Sequence, residues 1–439
     1  MKVLKFGGTS VGKPERMQQV AKIVQNGDEP KIVVLSALSG TTNALVEIGD
    51  LLLKKEIESA NTVTENLFQH YHSFIKELYQ EDNLQNKANL IVEEHFNYIK
   101  ALQSLEFTGL ENKELLAQGE LMSTKLFNLY LQQEKVKAVL LPALEFMKMD
   151  AYQEPDINFL QQEFKRQLET NQNYQIYITQ GYICRNHKNE IDNLKRGGSD
   201  YTATLIGAAL GSEEVQIWTD IDGMHNNDPR LVDKTYPIAE LSFNEAAELA
   251  YFGAKILHPS SIWPVQQYNV PVRLLNTMNP EAKGTFISAA ELTEDVKAVA
   301  AKDGITAIKV KSSRMLMAYG FLRKLFEVFE KYKTPIDMIT TSEVAVSLTV
   351  DDNTFLEPII QELEKYGTVN VDYNQTIICI VGNLVVQRKG IVKKIFQAVE
   401  DYPVRMISYG GSKYNISLLI DSQHKEPVLR SLNKVLFAL

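Results

Sequence analysis

The sequence predicts an α/β domain with a mainly parallel sheet, followed by two copies of a smaller α+β unit. Over the first two-thirds of the 439 residues, short apolar runs alternate with helical stretches, which is typical of a parallel sheet covered by helices. The last third contains an internal repeat. Between these regions, residues 276–305 are polar with scattered proline and glycine, so we expect the domain boundary there.

The apolar runs of the first domain are predicted to be buried strands. Continuously apolar segments are expected where helices cover both faces of a sheet. The predicted strands are 3–6, 31–37, 137–142, 175–183, 215–219 and 270–275.

Residues 58–105 are predicted to form a helical insertion, because apolar side chains recur there at helical spacing. One stripe comprises Leu67, Tyr71, Phe74, Ile75 and Leu78, and a second comprises Ala88, Ile91, Val92, His95, Ile99 and Leu102. We expect these stripes to pack helix against helix.

Two glycine pairs, in residues 5–11 and 196–202, are predicted to bind phosphate. Adjacent glycines let backbone N–H groups turn toward an anion, and a helix that starts just beyond adds a positive dipole end. Most isolated Gly-Gly pairs are ordinary tight turns. Here Lys5 precedes the first pair, while Arg196 and Asp200 flank the second. Two such turns indicate a ligand with several phosphates, or a phosphate that passes between two bound molecules. Neither turn is a Walker A loop or a Rossmann fingerprint.

The repeat of the last third predicts a regulatory module. Residues 320–326 resemble 390–396, an offset of 390 − 320 = 70, and 335–339 resemble 403–407, an offset of 403 − 335 = 68. The first copy reads strand, helix, strand, strand. Its elements are predicted at 306–311, 320–332, 337–340 and 344–350. A purely structural dimerisation module is the alternative.

Composition excludes several classes of protein. A net charge of −9 and a pI near 5.5, without long basic runs, disfavour nucleic acid and anionic membranes as partners. Only Cys184 and Cys379 occur, so no disulfide framework is expected and a reducing, cytoplasmic setting fits. No signal peptide, membrane-spanning run, metal ligand set or structural zinc site is predicted.

Taken in order along the chain, seven short motifs resemble the aspartate kinases (aspartokinases), and the resemblance covers essentially the whole length. The motifs are Lys-Phe-Gly-Gly-Thr-Ser-Val at 5–11, the segment 33–43 with Gly-Thr-Thr-Asn at its end, Gln-Gly-Glu at 118–120, 196–202, Thr-Asp-Ile-Asp-Gly at 219–223, Asp-Pro-Arg at 228–230 and Phe-Gly-Ala-Lys at 252–255. The likeness is greatest to monofunctional, lysine-sensitive members.

The resemblance implies a three-layer αβα amino-acid-kinase domain followed by two ferredoxin-like ACT domains. The expected boundaries are 1–290 for the kinase domain, 300–372 for the first ACT domain and 373–439 for the second. Interleaving of the two ACT domains would shift the last two boundaries. No dehydrogenase domain is expected after the second ACT unit.

The implied reaction transfers the γ-phosphoryl group of ATP to the β-carboxylate of L-aspartate. It gives 4-phospho-L-aspartate and opens lysine, threonine and methionine biosynthesis. A carboxylate is already ionised at neutral pH, so no general base is needed. The obstacle is repulsion between two anions, which cations and backbone N–H donors offset. Mg²⁺ is expected to be carried mainly by phosphate oxygens and waters.

The resemblance implies that Lys5 bridges the transferring phosphoryl group and that Asp200 holds Lys5. The alternatives are a solvated lysine at a strand end and an aspartate that merely caps a helix. For aspartate, Arg196 suits the α-carboxylate and Glu120 suits the ammonium, although Glu120 could be an ordinary first-turn helix carboxylate. The remaining substrate-binding residues are Ser36, Thr42 and Ser199.

The implied nucleotide site draws on several parts of the chain. Its residues are Lys5, Gly7, Gly8, Thr219, Asp220, His225, Arg230 and Lys255. Ordinary turn carboxylates at 220–222 and a solvated Lys255 are the alternatives. Lys195, His225 and the loop 184–194 depart from the family pattern and put the detailed adenine and aspartate contacts in question.

The ACT repeat implies feedback control, with lysine, threonine or both as the inhibitor. The residues that match a lysine pocket are Met315, Gly320, Phe321, Leu322, Asp337, Thr341 and Ser342. Asp337 would face the ligand ammonium, or else solvent, and Ala318 replaces a serine common in that pocket. We expect lysine to bind between ACT domains of two subunits, in a homodimer or larger assembly.

Two other functions stay open at this point. One is an amino-acid kinase that acts on glutamate, acetylglutamate or a nucleoside monophosphate, which Glu120, Arg196 and the ACT pair disfavour. The other is a catalytically silent amino-acid sensor, which the presence of Lys5, Asp200 and Lys255 disfavours.

Overall fold

The computed structural model describes residues 1–194, 197–253, 257–290, 295–315 and 319–439. The chain divides into two compact units. The first comprises Met1–Met224 with Ile256–Ala289, and the second comprises His225–Lys255 with Ala290–Leu439.

The strands of the described residues are β1 (Lys2–Phe6), β2 (Lys31–Leu35), β3 (Ala138–Leu140), β4 (Ile176–Gln180), β5 (Ile183–Arg185), β6 (Ile191–Asn193), β7 (Val215–Thr219), β8 (Glu240–Ser242), β9 (Val272–Asn276), β10 (Thr285–Ser288), β11 (Val296–Lys311), β12 (Ile339–Thr341), β13 (Ala345–Val350), β14 (Thr368–Gly382), β15 (Val404–Ser408) and β16 (Asn415–Asp421).

The α-helices of the same residues are α1 (Gly8–Val11), α2 (Pro14–Gln25), α3 (Thr41–Leu53), α4 (Ile57–Leu78), α5 (Asp82–Gln103), α6 (Gly109–Gln133), α7 (Ile157–Thr170), α8 (Gly198–Leu210), α9 (Phe243–Tyr251), α10 (Pro259–Gln267), α11 (Phe321–Lys331), α12 (Leu356–Leu363), α13 (Ile391–Ala398) and α14 (Lys425–Phe437). Among them, none combines the length and the apolar character that crossing a bilayer requires.

The sheet of the first unit is mainly parallel, as predicted. Its strands run in the order β3-β4-β2-β1-β7-β9-β10, and β10 pairs antiparallel to β9. Strand β1 pairs in parallel with β2 on one side and β7 on the other. The strand order therefore extends from β1 in both directions. Open α/β sheets bind ligands where the strand order reverses in this way, outside the carboxyl ends of the strands.

One strand prediction is wrong. The apolar run 175–183 is not a single strand, because β4 ends at Gln180 and β5 begins at Ile183. Tyr182, between them, has a φ of +67°, which an extended strand does not allow. Strand β5 instead forms a hairpin with β6, and Ile183 lies opposite Asn193.

The helical insertion is confirmed as α4 and α5, which pack with α3 and α6. Nearly all residues of both predicted stripes are buried in one hydrophobic cluster, where Tyr71 has no exposed surface. Apolar burial of this kind, at roughly 25 cal/mol per Å², is what stabilises an amphipathic helix pair.

The second unit contains an antiparallel sheet in the order β12-β13-β11-β14-β16-β15. The end of β11 pairs with β13 and the start of β14, whereas the start of β11 pairs with the end of β14. Helices α11 and α12 pack on a cluster beneath the first set of strands, and α13 and α14 on a cluster beneath the second. The second α+β copy thus takes a strand from the chain that precedes the first copy.

Candidate active site

A cavity of about 890 Å³ opens where the chain leaves β1 and β2 and enters α8. Its walls also include the start of α3, the middle of α6 and the β5–β6 hairpin. Of the residues predicted to bind substrate or nucleotide, those that line it are Gly8, Ser36, Thr42, Glu120 and Ser199.

Lys5 and Asp200 form a largely buried ion pair beside this cavity. The Nζ of Lys5 lies 2.6 Å from Oδ1 of Asp200, and the two side chains are 11% and 13% exposed. A solvated Lys5 is therefore wrong. Asp200 is the third residue of α8, whose N-cap is Gly197, so a simple N-cap role is wrong too. The pair places one fixed cation where β1 ends, next to Gly7, whose added Cβ would lie 3.3 Å from Nζ.

Both glycine turns need glycine for steric reasons. A Cβ on Gly8 would come within 3.0 Å of the carbonyl oxygen of Ala37. Gly197 has a φ of +76°, and a Cβ there would overlap the side chain of His258. The turns thus pack the start of α1 and the start of α8 closely on neighbouring parts of the chain, which a residue with a side chain would prevent.

Glu120 is a buried carboxylate in the wall of the cavity. It lies in the middle of α6, and the residue is 3% exposed, so the first-turn alternative is wrong. Its Oε1 accepts a hydrogen bond from the Ala37 N–H at 3.2 Å, while Oε2 is buried without a hydrogen-bond partner in the described part of the chain. Burial raises the pKa of Glu120 from 4.5 to about 8. An ammonium group in the cavity would supply the missing partner and favour the ionised form.

Three hydroxyl groups complete this wall. Ser36 directly follows β2, and its carbonyl accepts a hydrogen bond of 2.8 Å from the Ser123 hydroxyl. Thr42 is the second residue of α3. Ser199, in the first turn of α8, packs directly on the backbone of Gly181, where a Cβ would overlap it. The hydroxyls can donate to carboxylate or phosphate oxygens in the cavity.

The predicted nucleotide residues divide between the two units. In the first, Thr219 ends β7, its Oγ1 accepts from the Ile221 N–H at 3.1 Å, and Asp220 follows it. In the second, His225 Nδ1 lies 3.0 Å from Thr235 Oγ1. Arg230 binds Asp228 through two hydrogen bonds of 2.9 and 2.7 Å, and its side chain is largely exposed.

Some predicted residues lie outside the described residues, and nothing is assigned to them from the structure. They are Lys195, Arg196, Lys255 and Ala318.

The predicted effector residues lie in the first α+β copy. Met315 ends a short 3₁₀ helix, Gly320 caps α11 with a φ of +79°, and Phe321 and Leu322 begin that helix. Thr341 ends β12, and the Ser342 N–H donates to the carbonyl of Ala345 at 2.8 Å.

Asp337 is not a solvent-facing carboxylate. Its side chain is 2% exposed, and its Oδ1 accepts hydrogen bonds from Lys302 Nζ at 2.7 Å and from the Tyr251 hydroxyl at 2.8 Å. The same Nζ lies 2.9 Å from Asp351 and 4.4 Å from the centre of the Tyr251 ring. A lysine of the chain itself therefore neutralises the carboxylate predicted to bind an effector ammonium.

Sequence reasoning missed part of the cavity wall. Lys113 and Asp192 both line the cavity and form an ion pair of 2.7 Å that joins α6 to the β5–β6 hairpin. Lys113 precedes Glu120 by seven residues, two helical turns, so it lies on the same face of α6. That spacing could have revealed Lys113. Tyr182 also lines the cavity, and burial raises its pKa to about 12.

Comparison with known proteins gives consistent results along the chain. A model described as the amino acid kinase family matches residues 1–276, and a model described as an ACT domain matches residues 378–436. Aspartokinase 3, chloroplastic, of Arabidopsis thaliana is 36% identical over 99% of this chain and 81% of its own length. The lysine-sensitive aspartokinase 3 of Escherichia coli is 33% identical over 99% of each chain.

Solved structures resemble the whole chain as well. The E. coli aspartokinase III in complex with aspartate and ADP (R-state) has a TM-score of 0.85 at 32% identity and covers 100% of both chains. The complex of that enzyme with lysine and aspartate (T-state) has a TM-score of 0.80 and covers 100% of this chain and 99% of its own.

Proposed function

Because the chain belongs to the aspartokinases of the amino acid kinase family, we propose that its cavity binds L-aspartate and that the chain phosphorylates it with ATP. The product is 4-phospho-L-aspartate, which makes the chain an enzyme of amino-acid biosynthesis. The observation that carries the proposal is Glu120, a buried carboxylate with an unpaired oxygen, in the same cavity as the two glycine turns. An α-amino acid brings the ammonium that this carboxylate lacks.

The chemistry needs alignment and charge compensation more than proton transfer. The β-carboxylate of aspartate is ionised at neutral pH and attacks the γ-phosphorus directly, while the bond to the β-phosphate oxygen breaks. Lys5, held by Asp200 at 2.6 Å, supplies a preorganised cation beside the phosphoryl group. The backbone N–H groups at Gly7 and Gly8 bind phosphate oxygens, and Ser36, Thr42 and Ser199 orient the amino acid. Arg196 would hold its α-carboxylate.

We assign the nucleotide to the carboxyl end of β7 and the glycine turn after β1. Support comes from Thr219 and Asp220 at that edge of the sheet and from the close backbone approach at Gly8. His225, Arg230 and Lys255 remain proposed nucleotide contacts. Mg²⁺ would enter with the phosphates, carried mainly by their oxygens and by waters.

Regulation by lysine is the second part of the proposal. Lysine would bind at the first α+β copy through Asp337 and the residues around the start of α11. The E. coli relative is named lysine-sensitive, and its lysine complex is a T-state structure. Inhibition requires that lysine bind an inactive state better than an active one.

The regulatory copies also offer a surface for self-association. Leu322 and Phe326 on α11, and Val392 and Phe396 on α13, occupy equivalent repeat positions and are 37% to 40% exposed. Paired apolar side chains of this kind on repeated helices favour a homodimer or larger assembly. Both cysteines are free and buried, which suits a reducing compartment such as the cytoplasm.

Release of ADP tests the function directly. We expect release with L-aspartate, little with L-glutamate, and none with acetylglutamate or a nucleoside monophosphate. Release of ADP with glutamate in preference to aspartate would show that the chain is a different amino-acid kinase. No release with any acceptor would favour a catalytically silent sensor.

Substitution of Lys5 tests the catalytic assignment. The Lys5→Ala variant should stay folded but lose at least about 100-fold in kcat, as expected when one preorganised charge is removed. Its unfolding temperature should fall, because Asp200 loses its ammonium partner while largely buried. Lys2→Ala is the matched control, because Lys2 lies on the same strand and is 33% exposed beside Glu213. Near-normal turnover in Lys5→Ala would refute the role of Lys5.

A further inference from the structure

The helical insertion reaches the aspartate side of the cavity through one buried hydroxyl pair. Tyr71 of α4 and Thr41 of α3 are both fully buried, and their hydroxyl oxygens lie 3.1 Å apart. Their separation in sequence is 30 residues. Other buried polar side chains of the insertion, Thr64, Tyr79 and His95, also have hydrogen-bond partners, but this pair ends on α3 next to residues that line the cavity.

Thr41 stands between two residues of the cavity wall. It is the first residue of α3, and its neighbours Gly40 and Thr42 both line the cavity. Gly40 precedes the helix with a φ of +84°, so the chain turns sharply just before Thr41. A shift of Thr41 would therefore move Thr42, which is proposed to contact aspartate.

Thr41 also packs on the helix that carries Glu120. A Cβ added to Gly119 would lie 3.1 Å from Cγ2 of Thr41 and 2.8 Å from Cβ of Ala37, so α3 and α6 are in close contact at this point. Ala37 is the residue whose N–H binds Oε1 of Glu120. The side chain of Thr41 is thus fixed by Tyr71 at one end and by Gly119 along its methyl group.

We propose that Tyr71 is a positioning residue for aspartate binding, acting through the Thr41 hydroxyl on Thr42 and on the contact with α6. Removal of the Tyr71 hydroxyl leaves Thr41 Oγ1 buried without that partner. A buried threonine hydroxyl in this situation turns to a nearby backbone carbonyl, which shifts the first turn of α3. The role is not chemical, because Tyr71 does not line the cavity.

The chain offers a matched control for this substitution. Tyr79, at the end of α4, is 1% exposed and donates one hydrogen bond of 2.7 Å to the carbonyl of Leu126 on α6. Tyr71→Phe and Tyr79→Phe each remove one buried hydroxyl from the same helical insertion. They differ in that the partner of Tyr79 lies six residues beyond Glu120, away from the cavity wall.

The experiment measures KM for aspartate, KM for ATP and kcat of the full-length variants, together with their unfolding temperatures. Tyr71→Phe should raise the aspartate KM by about 2- to 10-fold, the range that corresponds to one hydrogen bond, with little change in kcat or in the ATP KM. Tyr79→Phe should lower the unfolding temperature similarly but leave the aspartate KM unchanged. Equal aspartate KM values in the two variants would overturn the proposal.

Thr41→Val provides a second, nearly isosteric test that does not depend on the folding of Tyr71→Phe. It should raise the aspartate KM as Tyr71→Phe does, and the double variant should add no further increase, because both substitutions break one contact. An unchanged KM in Thr41→Val, or additive effects in the double variant, would contradict the proposal. The inference rests on the proposed aspartate kinase activity. If that activity is absent, the unsubstituted protein releases no ADP with aspartate. If only the role of Tyr71 is wrong, the unsubstituted protein is active and the variants fail to differ as described.

Discussion

Glu120 is a residue whose charge depends on what occupies the cavity. Its carboxyl group has one hydrogen bond from the Ala37 N–H and a pKa raised to about 8 by burial. Without substrate it is therefore mostly protonated at pH 7. An ammonium group beside it stabilises the ionised form, so binding of aspartate must release a proton below pH 8.

This coupling predicts a pH-dependent affinity for aspartate. The apparent KM should fall by up to about tenfold per pH unit as pH rises toward 8 and then level off. Calorimetry in buffers of different ionisation enthalpy should detect nearly one proton released at about pH 6.5 and almost none above about pH 9.5. Glu120→Gln should bind aspartate at least about tenfold more weakly, without proton release. Proton uptake on binding, or a KM independent of pH, would contradict the assignment.

The same residue should also shape the pH dependence of stability. The folded-state pKa lies above the unfolded value of 4.5, so the folded protein binds the extra proton. Its stabilising contribution is complete below pH 4.5 and is lost as pH rises to about 8. Thermal unfolding of Glu120→Gln should accordingly lose less stability than that of the unsubstituted protein across this window.

At the residue scale, the sequence predicted Lys5, Glu120 and Ser199 in one site. Glu120 and Ser199 line one cavity and Lys5 lies beside it, while their roles stay predictions. The pairing of Asp337 was not foreseen, because Lys302 is 35 residues away and Tyr251 is 86 residues away. No local pattern indicates which distant ammonium will neutralise a given carboxylate.

Among the elements that border the cavity, the turn between β1 and α1 has little steric freedom. Gly8 approaches the carbonyl oxygen of Ala37 so closely that an added methyl group would lie at 3.0 Å. The carbonyl belongs to the backbone and cannot move aside as a flexible side chain would. Any larger residue therefore separates the turn from the chain that leaves β2, and both border the cavity.

Gly8→Ala should lower kcat/KM for ATP by at least about tenfold, because small displacements of a phosphate-binding turn misalign the reacting groups. The fold should persist with a modest loss of stability, of about 1–3 kcal/mol as for other overpacked sites. Gly109→Ala is the matched control, since Gly109 begins α6 and has open space around its Cβ position. Steady-state kinetics and thermal unfolding of both variants check the prediction, and wild-type ATP kinetics in Gly8→Ala would contradict it.

The sequence predicted where several strands and helices lie, but it did not predict that one apolar run is broken into two strands. The strand 215–219 was predicted with the bounds that β7 has, and the helical insertion with two helices was predicted from its stripes. The break after Gln180 was not predicted, because the Ile, Tyr and Thr residues of this run favour strands. Tyr182 contacts α8 instead of continuing the strand: its N–H donates to Thr202 Oγ1 at 3.0 Å, and a Cβ on Gly198 would lie 2.5 Å from its ring.

At the scale of the whole molecule, the two α+β copies are not consecutive pieces of chain. The repeat offset predicted two similar copies, and the sheet contains both. The start of β11, Val296 to Lys302, pairs with the end of β14. This segment therefore belongs to the second copy, although it precedes the first copy in the sequence. This exchange follows from long-range pairing that a repeat in sequence does not encode.

Lys302 lies in the segment of β11 that pairs with the second copy. Its ammonium forms an ion pair with Asp337, the carboxylate that is proposed to bind the effector. It binds Asp337 at 2.7 Å and Asp351 at 2.9 Å, and the ring of Tyr251 lies 4.4 Å away. An incoming lysine must displace this internal ammonium or share the carboxylate with it. Since Asp337 Oδ2 is buried without a hydrogen-bond partner among the described residues, the internal pairing leaves part of the carboxylate unsatisfied.

Lys302→Met should therefore make the enzyme more sensitive to lysine. Removal of the internal cation leaves Asp337 and Asp351 as two facing anions, which favours binding of an external ammonium, and the half-inhibitory lysine concentration should fall by about tenfold. Lys309→Met is the control, because Lys309 is an exposed lysine of the same strand, and its inhibition curve should match that of the unsubstituted enzyme. Inhibition curves for ADP release at fixed aspartate and ATP measure the effect.

Weaker inhibition by lysine in Lys302→Met would mean that Lys302 helps to bind the effector instead of competing with it. Equal sensitivity to lysine in Asp337→Asn and in the unsubstituted enzyme would show that Asp337 does not bind the effector.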